Sequence, residues 1–222
     1  MLRRSRGWQD LHLVRKILKE SRVLLINSGV SSLVIDTLCK LAVEENVGVA
    51  CFYFDFAVQE GQSPAAVLGS VLRHIVGGLG DVPEKIVKAF RRQKNIIGSQ
   101  KLMLWEIVEF LQDVMSSRPT FICIDAMDEC RAEHRAKLLT LLNQILQRSP
   151  GSRLFLTGRP HVRGEVEGRL AGRAATRSII STKNDIMTLL RAKLKEDTMP
   201  SAMDDSLGEE IIQNIPGTVS GM

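Results

Sequence analysis

Several things are missing from this sequence, and each absence excludes a class of protein. No apolar run approaches the roughly 20 residues needed to cross a bilayer as a helix, so no membrane partner is expected. The basic start, with Arg3, Arg4 and Arg6, is not followed by an apolar core, so it does not read as a secretory signal. There are four cysteines and no Cys-x-x-Cys pair, which gives a zinc site little support. Cys51 and Cys123 lie in apolar runs where a free thiol behaves as a small hydrophobe, and this suggests a reducing, cytoplasmic setting. There is no internal repeat and no low-complexity segment. Nor is there a concentrated charge: 30 basic and 25 acidic residues leave +5, spread along the chain. The densest basic group, Lys85, Lys88, Arg91, Arg92 and Lys94, is spaced as one solvated helix face. A nucleic-acid footprint needs a patch, so no nucleic-acid partner is expected.

What is present is an alternation of short apolar runs with longer amphipathic ones. Val23 to Ile26, Val47 to Phe56, Thr120 to Ile124, Arg153 to Thr157 and Thr176 to Ile180 read as strands. Helical patterns fill the intervals: Trp8 to Glu20, Ser31 to Glu45, a helix opened by Ser63-Pro64, another from Pro83, then Leu102 to Met115, Ala132 to Gln147 and Val162 to Leu170. Asn184 to Glu196 and Leu207 to Ile215 follow. Serine as cap and proline at the first helical position are a strong start signal. The expected fold is α/β, a parallel five-stranded sheet flanked by helices. Residues 1–22 would form an N-terminal helix, 23–196 the core, and 197–222 the start of a truncated C-terminal helical extension. The apolar stripe of Leu207, Ile211, Ile212 and Ile215 would need a cover.

In such sheets ligands bind at the carboxyl ends of strands, and two strands end in polar clusters. Thr120 to Ile124 delivers Asp125, with Asp128 and Glu129 just beyond. A hard Mg²⁺ ion keeps most of its waters, so one strand-end carboxylate suffices to hold it. A second can orient water for attack on a phosphoryl group. The plainer reading is an acidic helix start favoured by the helix dipole. Arg153 to Thr157 leads into Gly158-Arg159-Pro160. Here a hydroxyl and a guanidinium stand where they could sense a phosphate, or they are loop punctuation.

Taken together, Ser31 to Asp36, Phe52 to Asp55, Phe121 to Cys130 and Phe155 to Pro160 resemble the fungal NACHT-type (STAND) P-loop NTPases, the nephrocystin 3-like N-terminal domain family. The resemblance extends from about Trp8 to the end. It implies Asp125 as the Mg²⁺ ligand, Asp128 and Glu129 as catalytic, water-orienting groups, and Ser28, Thr157 and Arg159 as nucleotide contacts. It implies Mg²⁺ and ATP or GTP as cofactors. The departure lies after the first strand. Ile26-Asn27-Ser28-Gly29-Val30-Ser31 has one glycine and no lysine, and no Gly-Lys dipeptide occurs in the chain. The Gly-x-x-x-x-Gly-Lys-Ser/Thr loop that cradles phosphates is therefore missing. The expected function is a degenerate signalling module with weak or absent nucleotide binding and hydrolysis. It would associate with itself or with protein partners through a missing C-terminal region or repeats. The alternatives are a competent ATP/GTP switch and a fragment of a nucleic-acid-handling ATPase.

Overall fold

The computed structural model describes residues 23–26, 46–95, 101–170 and 174–177, with residues 35, 36, 38–40 and 42 and Glu210 besides. The chain divides into two compact units, Met1–Ser178 and Ile179–Met222, and all that follows concerns the first. The expected helices at Trp8 to Glu20, Asn184 to Glu196 and Leu207 to Ile215 lie outside the described residues, apart from a helical Glu210.

Five strands form one sheet: β1 (Val23–Ile26), β2 (Gly48–Tyr53), β3 (Thr120–Asp125), β4 (Arg153–Thr157) and β5 (Ala174–Arg177). Their order is β2-β3-β4-β1-β5, and every pairing is parallel. Parallel strands need long crossovers, and helices supply them. These are α1 (Pro64–Gly77), α2 (Glu84–Asn95), α3 (Leu104–Ser117), α4 (Ala132–Arg148) and α5 (Arg163–Arg169).

Ser63 caps α1 as its sequence predicts, its hydroxyl accepting from the Ala66 amide at 3.3 Å, with Pro64 following at the first helical position. The core lies on one face of the sheet. Ala50, Ile122, Ile124, Leu154 and Leu156 meet Val67, Leu68, Val71 and Leu72 of α1, Leu111 of α3, and Leu138 and Leu142 of α4. Cys123 and Phe155 alternate with these residues onto the opposite face and are equally buried. Burial on both faces explains why β3 and β4 read as continuous apolar runs rather than as alternating ones.

Three basic residues of α2 have acidic partners. Lys85 pairs with Asp113 and Glu109, Lys88 with Glu84, and Arg92 with Glu106. The fifth strand departs from expectation. It runs over Ala174–Arg177, two residues before the predicted start, because its register is set by β1, with Val23 opposite Ala174 and Ile26 opposite Arg177. Alanine is a weak strand former, and pairing with β1 overrides that local preference.

The amino-terminal end of the sheet is tied by Arg118. Its guanidinium donates to the carbonyls of Asn46 (3.0 Å), Val47 (3.0 Å) and Gly78 (2.8 Å). It thereby joins the ends of α1 and α3 to the turn entering β2, where Asn46 is left-handed with φ 51°. Arg118→Ala leaves three carbonyls short of a charged donor. We expect it to cost about 1–3 kcal/mol, read as a lower urea midpoint at unchanged slope. Arg118→Lys, a point charge without the planar fork, should recover only part of that loss.

Candidate functional site

The sheet topology singles out one crevice. The chain leaves β1 for β2 at one edge and leaves β4 for β5 at the other, although β1 and β4 are neighbours. Where outgoing connections diverge, the carboxyl ends of adjacent strands open a cleft, which is the usual ligand position in open α/β sheets. Ile26 at the end of β1 is the register partner of Thr157 at the end of β4. Asp125 ends β3 on the other side of β4.

Thr157 is completely buried and joins the two strand ends. Its hydroxyl donates to Asp125 Oδ1 and accepts from the Ala126 amide at 3.0 Å. Ala126 itself is left-handed, φ 54° and ψ 48°, a conformation that costs a non-glycine residue energy and persists only when its surroundings enforce it. That turn lets the chain reverse sharply after Asp125 into a single 3-10 turn, Met127–Glu129.

The two carboxylates beyond Asp125 are held elsewhere. Asp128 accepts from the Arg159 amide at 3.2 Å and pairs with the Arg159 guanidinium at 3.3 Å. Its side chain is 8% exposed, whereas that of Arg159 is 72% exposed. Glu129 accepts from the Phe56 amide at 3.0 Å, and its carbonyl accepts from the Gln59 amide side chain at 2.7 Å. Both therefore serve as braces. Asp128 fastens the loop after β4, and Glu129 fastens the turn after β2. Gly158 sits tightly at the first of these contacts, where a Cβ would meet the Val162 side chain at 3.1 Å and Asp128 at 3.5 Å.

The structure thus gathers Asp125, Asp128, Glu129, Thr157 and Arg159 at one end of the sheet, with Arg159 paired to Asp128. Ser28 lies outside the described residues. Two residues to which the sequence reading assigned no role beyond the family resemblance also belong here. Asp55 caps the turn after β2, accepting from the Ala57 amide at 2.8 Å. Tyr53, in register with Asp125, is half exposed. Partial burial pushes its phenol above the ordinary range, and negative charge at Cys51 and Asp125 adds to the shift. An Asp after a strand and before a turn was the available signal for Asp55.

Mg²⁺ and a nucleoside triphosphate are what the family resemblance implies for such a site. The metal side fits: Asp125 is a strand-end carboxylate, partly open, oriented by a buried hydroxyl. Among the described residues no group of three or more acidic, His or Cys side chains encloses a metal, so Asp125 would act alone with water. The phosphate side does not fit. The stretch leaving β1 carries no lysine to reach the outer phosphates.

Residues 27–159, more than half of the chain, match the family described as Nephrocystin 3, N-terminal. The chain belongs to that family. Its matched segment runs from the connection after β1 to Arg159, and so contains every candidate site residue named above. Among solved structures the fold is similar to that of the Aeropyrum pernix Orc1 protein in complex with DNA. There the TM-score is 0.55 at 16% identity, over 86% of this chain and 50% of that one. It is also similar to the Walker-type ATPase PABY2304 of Pyrococcus abyssi. That TM-score is 0.51 at 14% identity, over 96% of this chain and 64% of that one. The family member described here thus spans half to two thirds of the length of these proteins. No curated protein matches the sequence.

The comparisons correct one expectation. A partner list without nucleic acid does not stand, because a protein of this fold, the Orc1 relative, is DNA-bound. Dispersed surface charge was too weak a ground for exclusion, since backbone amides and helix ends also contact phosphates. For the membrane, the finding is narrower: no helix among the described residues is long and apolar enough to cross one.

The bracing role of Asp128 can be separated from a catalytic one. Asp128→Ala strands the Arg159 amide, and we expect a loss of about 1–3 kcal/mol with faster hydrogen exchange at Arg159. Asp128→Asn keeps an acceptor oxygen and should retain much of the stability in urea unfolding. Equal losses in the two variants would place the charge, not the hydrogen bond, at the centre of the contact.

Proposed function

We propose that this chain is a degenerate NACHT-type (STAND) nucleotide-binding module that holds Mg-nucleotide weakly and hydrolyses it little or not at all. The observation that carries this reading is the pairing of Asp125 with Thr157 at the crevice beside β1, set against a loop after β1, residues 27–31, without lysine. One half of a metal–phosphate site is built, and the other half lacks its phosphate cradle. Asp125 would hold hydrated Mg²⁺, and Thr157 would fix the rotamer of that carboxylate. Arg159, mostly exposed and paired with Asp128, would be the residue free to turn toward an added phosphate. Engagement of Asp128 and Glu129 with backbone amides leaves water activation without a dedicated base, which favours a binding or switching role over turnover.

Nucleic acid enters as a partner class on the strength of the DNA-bound relative. A salt series of DNA titrations tests it, since phosphate contacts weaken steeply with added salt.

Calorimetry should give a dissociation constant for Mg-ATP or Mg-GTP of about 1 mM or weaker, near −4 kcal/mol. Replacing Asn27 to Gly29 with a Gly-x-x-x-x-Gly-Lys-Thr segment should tighten binding about tenfold or more, through new amide contacts and one charge-assisted bond. Asp125→Ala in that background should remove the Mg²⁺-dependent part of the gain. Micromolar affinity in the unaltered chain would overturn the degenerate reading. A folded graft that binds nothing would overturn the nucleotide reading altogether.

A further inference from the structure

Cys51 of β2 and Cys123 of β3 are register partners in a parallel strand pair. Partners in register project from the same face, on strands spaced about 4.8 Å apart. That spacing lies inside the Cα separation of roughly 4.4–6.8 Å that a disulfide spans. Both thiols are free. Cys123 is buried and Cys51 is partly accessible. A third thiol, Cys39, is exposed on the helical residues 38–40 and lies near enough to act electrostatically on both. Cys51 and Cys123 share the sheet face that also carries Tyr53 and Asp125. They do not enclose a metal, as no such group occurs among the described residues.

We infer that Cys51 and Cys123 are a reversible redox pair, a cross-strand dithiol that a small-molecule disulfide such as oxidised glutathione converts into a disulfide.

The Cys51 sulfur attacks one sulfur of the small disulfide, and the first small thiol leaves with the proton from Cys51. Cys123 then attacks the Cys51 sulfur in the mixed disulfide, and the second small thiol leaves with the proton from Cys123. Two protein thiols are oxidised and one small disulfide is reduced to two thiols. Cys51 is the first attacker because it is the more accessible. The neighbouring Cys123 also holds its thiol below the ordinary range, against burial, which raises it. The bridge must draw the Cβ atoms closer than the strand spacing, to about 3.8 Å. One sulfur of the bridge, that of Cys51, stays partly accessible, and exposed bridges are the readily reduced ones, labile rather than structural. Neither step involves the proposed nucleotide, so this inference does not depend on that reading.

The test is oxidation of the folded full chain with excess oxidised glutathione, blocking of remaining thiols, digestion, and mass spectrometry with fragmentation. The expected product links Cys51 to Cys123, not to Cys130, and dithiothreitol removes it. Cys39→Ser should keep the link, and Cys51→Ser should abolish it. Wild-type mapping decides the matter even if Cys123→Ala, in the core, fails to fold. A Cys39–Cys51 link, glutathione retained on Cys51 without a bridge, or Cys51 left fully open to alkylation would each overturn the inference.

Discussion

The placement of β1 between β4 and β5 is the constraint on which the rest of the structure depends. A strand only four residues long (Val23–Ile26) is hydrogen-bonded on both sides. Its position forces the chain to leave β1 and β4 in opposite directions. That divergence opens the crevice and sets Thr157 opposite Ile26. With β1 at an edge, the carboxyl ends of β3 and β4 would still carry polar residues, but no cleft would form beside them.

Polar residues at those strand ends act mainly on one another. Thr157 holds Asp125, Asp128 holds Arg159, and Glu129 holds the turn after β2. Three loops from three strands are thus locked into one surface by charge-assisted hydrogen bonds, which are shorter and stronger than neutral ones. This mutual bracing accounts for the left-handed Ala126 and the crowded Gly158. It also explains how this end of the sheet keeps its shape: the geometry is maintained by the protein's own contacts. The turn that Glu129 braces also carries exposed Phe56, 74% accessible.

Much of this fold was legible from the residues. β3 and β4 are apolar because both their faces are buried, so their runs stood out and β4 was bounded correctly. The start of α1 was fixed by a local rule, a serine oxygen satisfying a free helix amide beside a proline. β5 was misplaced by two residues, because its alanines carry no strand signal and only pairing with β1 defines them. The roles of Asp128 and Glu129 were equally hidden. Spacing after a strand says that a carboxylate is near the site, but not which amide it will satisfy. Arg118 was overlooked for the same reason. Its three acceptors come from residues 46, 47 and 78, and no local pattern records a contact across 40 to 72 positions.

The residues alone mark the approximate extent of most of the described strands and helices, which strands end in carboxylate or hydroxyl groups, and the absence of lysine from residues 27–31. Those properties belong to periodicity, capping and composition, which act over a few residues. Only the tertiary structure decided the strand order, the pairing of Thr157 with Asp125, and the commitment of Asp128 and Glu129 to bracing. It also decided that Cys51 faces Cys123, 72 positions away in sequence. These are set by register between distant strands, and register is fixed by how whole faces bury against helices.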